Sequence, residues 1–195
     1  MKIKITKRLP LIAAFTLISP TIAFAHNPGG KPDPMTASLE ALKGAEFERS
    51  YLEQMIQHHR GGVEMAKLVG NHTKRPELRE FADKMIQMQE QEITQMTRWL
   101  NDWYKASPKK VPNEKAGEEM KMYSSMLSAK HDDDFDKSFL EMMSKHHHGA
   151  VEMSELAESK STHAELKEFA AKIAKDQEEE IKQLKSWDQS WFGPA

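Results

Sequence analysis

The sequence predicts an all-α protein, a four-helix bundle built from two duplicated helical hairpins with a short extra linker helix. Three observations predict it. Almost no stretch alternates apolar and polar residues as a half-buried strand does, and apolar residues recur instead at three- and four-residue spacing. The chain also repeats itself: residues 47–103 align without a gap on residues 135–191, and about 25 of the 57 paired positions are identical. Two hairpins, each carrying one apolar stripe, bury those stripes most simply against each other.

Residues 1–25 read as a secretory signal. Lys2, Lys4, Lys7 and Arg8 give a positive start, Leu11 to Ile22 an apolar stretch, and Ala23-Phe24-Ala25 an A-x-A cleavage pattern. That stretch is short for a membrane span, and no later segment is apolar enough to be one. The expectation is a secreted or periplasmic protein that begins at His26 and has no membrane contact after cleavage. Residues 26–43, rich in Gly and Pro at first, read as a flexible lead-in. Residues 44–195 then read as a single bundle domain, repeat one at 47–103 and repeat two at 135–191.

In repeat one, Leu52, Met55, His59, Gly62, Ala66 and Val69 mark a helix over about 45–70, stopped by Gly70-Asn71. Pro76 suits the first turn of the next helix, and Glu77 and Glu80 suit its positive end. Its stripe is Leu78, Phe81, Met85, Gln89, Glu92, Met96, Trp99 and Trp103, to about residue 104. Ser107-Pro108 and Val111-Pro112 open the linker, 104–134, whose residues 114–130 carry a short helix with Met120, Met122 and Met126. Asp132, Asp133 and Asp134 offer N-caps for a helix over about 135–159. Thr162 and Glu165 have capping-box spacing for a last helix ending near 191.

Composition narrows the function. The chain has 28 Lys and Arg against 30 Asp and Glu, with no dominant basic patch, which argues against nucleic acid. Cysteine is absent, so there are no disulfides, no thiolate metal site and no covalent haem attachment. Methionine, at 13 residues, is abundant. Scattered methionine only fills cores, but here it recurs beside paired histidines. The repeated constellation is Met55, His58, His59, Glu64 and Met65, then Met143, His146, His147, Glu152 and Met153.

At 100° per residue, His59 falls on the apolar stripe, with His58 and Met65 on its edge. Gln89 and Glu92 fall inside the stripe of the second helix, and Gln177 and Glu180 repeat them among Leu166, Phe169, Ile173, Leu184 and Trp187. A buried carboxylate is costly unless paired or bound to metal. Glu92 and Glu180 can satisfy His59 and His147 in a network that sets helix register, or orient ligating imidazoles from behind. Four histidines in matching pairs flanked by thioethers point to a soft metal, since imidazole suits copper and thioether selects Cu(I), and by the same softness Ag(I). The candidate ligands are therefore Met55, His58, His59, Met65, Met143, His146, His147 and Met153.

Weaker donors surround them. Met88 lies one turn from Met85 but becomes Asp176 in repeat two. Met120, Met122 and Met126 read as an auxiliary Cu(I) site or as a stripe packing the linker helix onto the bundle. His148, opposite Arg60, reads as an exposed extra donor, and His26 as a chelator through its amine and imidazole if it becomes the first residue. His72, His131 and His163 lie at helix ends or loops and read as solvated.

The pattern M-x-x-H-H-x-x-G/A-x-x-M, followed by a helix with L-x-x-F-A-x-x-I/M, resembles the family called domain of unknown function 305 (DUF305). The resemblance covers both repeats. It implies a ferritin-like helical fold, export, and copper binding linked to metal tolerance, with no enzymatic activity. The expected protein buffers, sequesters or hands on Cu(I), with another copper-handling protein as a possible recipient. Three alternatives remain open: a ferritin-like di-metal protein, for which the carboxylates are few; a haem-b bundle with Met/His ligands; and a structural or chaperone bundle without metal.

Overall fold

The computed structural model describes residues 33–194, so the signal segment and His26 lie outside the described residues. Among these residues it has helices and no strand: α1 (Pro34–Leu39), α2 (Gly44–His72), α3 (Pro76–Tyr104), α4 (Glu114–Ser128), α5 (Asp132–Lys160) and α6 (Ala164–Phe192). The fold is all-α, and the duplicated hairpins are α2–α3 and α5–α6.

The two central helices, α2 and α5, pack on each other, with α3 on α2 and α6 on α5. The backbones of α3 and α6 nowhere approach within 8 Å by Cα. Large rings bridge them instead: Trp99 meets Phe169 edge-on at 5.0 Å, and Phe81 meets Trp187 at 5.5 Å. Phe47 and Tyr51 in one core cluster, and Phe135 and Phe139 in another, are fully buried, each contributing about 1.5–3 kcal/mol by leaving water.

Part of the lead-in is folded rather than flexible. Asp33 caps α1 by accepting from the Met35 amide at 2.8 Å, and Met35 and Leu39 are buried in the core. With α4, this short helix covers a second face of α2 and α5. Residues 51–59 of α2 are consequently buried without interruption, where the 3.6-residue pattern implies one solvated side. The polar residues there are matched. The Gln57 amide donates to the Asn113 carbonyl at 2.8 Å and accepts from its N–H at 2.9 Å. Gln54 accepts from Ser38 at 3.0 Å and from the Asn113 side chain at 3.1 Å. Lys145 and Tyr123 both donate to Glu119, tying α4 to α5.

Several helix ends differ from expectation. Gly70-Asn71 does not end α2, which runs on to His72. Asp132, Asp133 and Asp134 sit inside the first turn of α5, with His131 at the cap position. There they still oppose the positive end of the helix. The Thr162–Glu165 capping box does not form, and no side chain of the local sequence caps α6. Glu48 of α2 instead pins the turn before α6 from across the chain. Its Oε1 accepts from Thr162 N–H at 2.5 Å, Thr162 Oγ1 at 3.1 Å and His163 N–H at 2.9 Å. Its Oε2 accepts from the Tyr104 hydroxyl at 2.5 Å and lies 2.9 Å from His163 Nδ1. His163 is therefore not a solvated loop residue, and its ring stacks on Trp103 at 3.9 Å. The duplicate corner repeats the device: Asp136, in the place of Glu48, accepts from Arg75 Nε at 3.0 Å, and the Arg75 guanidinium lies 4.1 Å over Trp191.

The α2 helix starts at Gly44 with φ +54, and its duplicate Asp132 has φ 51. A Cβ at Gly44 would meet nothing within 4 Å. Gly44→Ala is still expected to cost about 1 kcal/mol, because the left-handed backbone penalises any L side chain. A urea midpoint equal to wild type would refute this.

Candidate metal centre

The four repeated histidines meet at the α2–α5 contact. The rings of His58 and His146 stack with centroids 3.7 Å apart. Each Nε2 reaches the other residue's backbone carbonyl, at 3.0 Å from His58 and 3.1 Å from His146. Small residues permit the approach. A Cβ at Gly62 would stand 2.9 Å from His146 Cε1 and 2.7 Å from Gln89 Oε1, and one at Gly149 would stand 3.4 Å from His58 Nε2. Gly62→Val is accordingly expected to destabilise the fold by about 1–3 kcal/mol through overpacking against a ring that cannot retreat, measurable by thermal melting.

His59 and His147 lie beside this stack, fully buried. His59 Nε2 is 2.9 Å from Glu92 Oε2 and hydrogen-bonded to it. His147 Nε2 is 2.7 Å from Glu180 Oε2, close but not aligned as a hydrogen bond. The expected histidine–glutamate pairs are thus both present, on α3 and α6. The network is not self-satisfied, however. Nδ1 of His58, His59, His146 and His147 is buried with no hydrogen-bond partner, as are both amide atoms of Gln89 and Gln177.

These orphaned nitrogens have a definite character. A carbonyl only accepts, so the Nε2 of His58 and of His146 must carry the proton, which leaves Nδ1 as a lone pair. Burial, reinforced by the other histidines, pushes the pKa of His58 and His146 well below the ordinary imidazole value. Both rings are neutral at pH 7, the form that ligates metal. A buried lone pair without a partner is unfavourable, and a soft cation is the partner that this donor chemistry fits.

The thioethers sort across the duplication. Met55 and Met153 share one buried cluster, which also holds Met96. Met65 and Met143 share another with Met85. All four repeated methionines are completely buried. Among the described residues no three His, Asp or Glu side chains converge as a metal group, so a site here needs sulfur to complete it.

The outlying donors divide. Met120 is half-buried over Gly61, where a Cβ would stand 2.8 Å from its sulfur. Met122 and Met126 are 51% and 44% exposed, so they form no buried stripe against the bundle. His148 is exposed, as is Glu64, while half-buried Glu152 accepts from the Asp33 amide at 3.3 Å. Met88 is half-buried on α3. Sequence reasoning missed Lys172, whose Nζ lies 3.8 Å from Glu92 Oε1. Its identity with Lys84 in the repeat was the available signal.

The family model for the domain of unknown function DUF305 matches residues 21–100 and 89–188, one segment over each hairpin. The chain belongs to the DUF305 family. Among solved structures it is similar to CopM in its Cu(I)-bound form, at 29% identity and a TM-score of 0.64, over 75% of this chain and 98% of that one. CopM has also been solved with Cu(II), with silver and in the apo form. A DUF305 protein from Streptomyces coelicolor (23% identity, TM-score 0.62, covering 70% of this chain and 89% of that one) shares the fold. So does a DUF305 fragment from Deinococcus radiodurans, with a TM-score of 0.65 at 22% identity over 71% and 93% of the two chains. No curated protein matches. Among the described residues no helix is long and apolar enough to cross a membrane.

Proposed function

We propose that this chain is an exported, non-enzymatic protein that binds Cu(I), with Ag(I) as an alternative cargo. It buffers or sequesters the ion in the bundle interior, or hands it on to another copper-handling protein. The observation that carries this reading is the set of four buried Nδ1 atoms without partners, between two clusters of buried thioethers. Met55, His58, His59, Met65, Met143, His146, His147 and Met153 supply the donors. Thioether and imidazole together favour Cu(I) over harder ions. Glu92 acts from behind His59, bonded to its Nε2, and Glu180 stands in the matching place 2.7 Å from His147 Nε2, which leaves each Nδ1 for the ion. A dry interior also shields Cu(I) from oxidation. The 29% identity to CopM over nearly all of that chain supports the copper assignment.

The test is anaerobic titration with Cu(I) against a chromogenic competitor, using wild type and a variant with His58, His59, His146 and His147 all changed to Ala. Stoichiometric binding by wild type, lost in the variant, is the expected result. The milder Glu92→Gln should bind about 10–100-fold more weakly, the usual effect of removing a ligand's outer partner. Equal weak binding by all three would mean that the histidines are structural, and Cu(I) would then leave the melting temperature unchanged.

A further inference from the structure

Among the described residues three large apolar side chains are exposed, and two of them are Met122 and Met126 of α4. They stand one helical turn apart, so their thioethers share a face. Helix propensity does not call for methionine on a solvated face, where lysine or glutamine serves as well. Met120 belongs elsewhere, packed over Gly61 of α2.

The pairing of α4 with α5 brings a third thioether to this face. Lys145 of α5 donates to Glu119 at 2.8 Å and to the Tyr123 hydroxyl at 2.5 Å. Lys130, just past the end of α4, donates to Ser138 at 2.6 Å. The two helices are therefore antiparallel, and midway between these ties the register sets Met126 opposite Met142. Half-buried Met142 packs on the cluster that holds Tyr123 and Leu127 of α4. Its counterpart in repeat one is Gln54, so the fold itself does not demand sulfur at this position. The two lysines are engaged at the ends of the stretch, Lys145 by a carboxylate that neutralises it.

We propose that Met122, Met126 and Met142 form a surface site for Cu(I), with Ag(I) equivalent to it by softness. Thioether sulfur selects monovalent copper over harder ions, and three neutral sulfurs from two adjacent helices supply the whole donor set. The site lies outside the duplicated constellation of histidine and methionine and draws none of its donors from it. Exposed thioethers exchange an ion directly with the ligands of another protein. His59 and His147, fully buried, are closed to such exchange. The surface site suits hand-over, and the interior suits retention.

NMR of the full chain, labelled with carbon-13 in its methionine methyl groups and titrated with Ag(I), reads each thioether separately. The methyls of Met122, Met126 and Met142 should shift together and reach a plateau at a single equivalent of their own. Met126→Leu conserves volume and helix propensity, and in it the Met122 and Met142 methyls should no longer shift. Met122, Met126 and Met142 unmoved while Met55 and Met153 shift would overturn the surface site and leave interior binding standing. The reverse pattern would uphold the surface site and remove the interior one. Unchanged shifts of Met122 and Met142 in the Met126→Leu variant would also overturn the three-thioether site.

Discussion

Glu48→Ala is expected to lower the unfolding free energy by about 3–5 kcal/mol, the range for removing one partner of a buried charged network. The carboxylate is fully buried and gathers Thr162 and His163 from the α5–α6 turn and Tyr104 from the end of α3. Alanine would leave the Thr162 and His163 N–H groups, in the turn before α6, and the Tyr104 hydroxyl without their acceptor. Glu48→Gln keeps one carbonyl oxygen and should cost clearly less. Acid should mimic the substitution. Burial opposes ionisation of Glu48, but the donors from Tyr104, His163 and Thr162 outweigh it and hold the pKa at about 2, against 4.5 for a free side chain. The unfolded chain therefore binds the proton first as pH falls. The stabilisation is complete above pH 4.5 and is lost as pH drops through 2, amounting to about 3 kcal/mol. Urea melts of wild type and both variants at pH 7 and pH 3 check this. An alanine variant as stable as wild type at pH 7 would show that the corner is held by packing alone.

This clamp also marks where the sequence stops being informative. The hairpins were legible because their stripes are local: Leu52, Met55 and His59, or Leu78, Phe81 and Met85, announce one helix face without reference to anything else. The pairing of His59 with Glu92 was legible because both recur on facing stripes. Glu48 was not, since its partners lie 56 to 115 residues away and Thr162–Glu165 offers a plausible local cap. Gln54 and Gln57 look like a solvated side until α1 and α4 cover them with matched hydrogen bonds. Periodicity puts His58 at a stripe edge. That edge is the α2–α5 seam, where His146 stacks on it. Periodicity finds the face that meets a helix's own hairpin partner, and it misses the second face that α2 and α5 bury. The cross-repeat sorting of methionines, Met55 with Met153 and Met65 with Met143, follows from the same packing of α2 on α5.

That seam carries the second large effect. Below pH 6.5 the metal-free protein is expected to lose stability at up to about 2.7 kcal/mol per pH unit, from two imidazoles at about 1.36 kcal/mol each. Burial, then the neighbouring histidines, lowers the pKa of His58 and His146 far below the ordinary imidazole value of 6.5. The unfolded chain takes up both protons just below pH 6.5, while the folded chain refuses them until well below that. Their contribution is present above pH 6.5 and is lost as pH falls toward the folded value, a window that opens well before Glu48 begins to titrate. Urea unfolding between pH 7 and pH 5 measures the slope, and His58→Phe, which keeps a ring in the stack, should roughly halve it. A flat profile over that range would mean that the folded rings take up protons as readily as the unfolded chain does, and their Nδ1 lone pairs would then be lost to protons like those of exposed histidines. The same depressed pKa values bear on the proposed cargo. An ordinary imidazole surrenders metal to protons as pH falls through 6.5, whereas His58 and His146 keep their lone pairs, so Cu(I) binding should outlast acidification that empties an exposed histidine site.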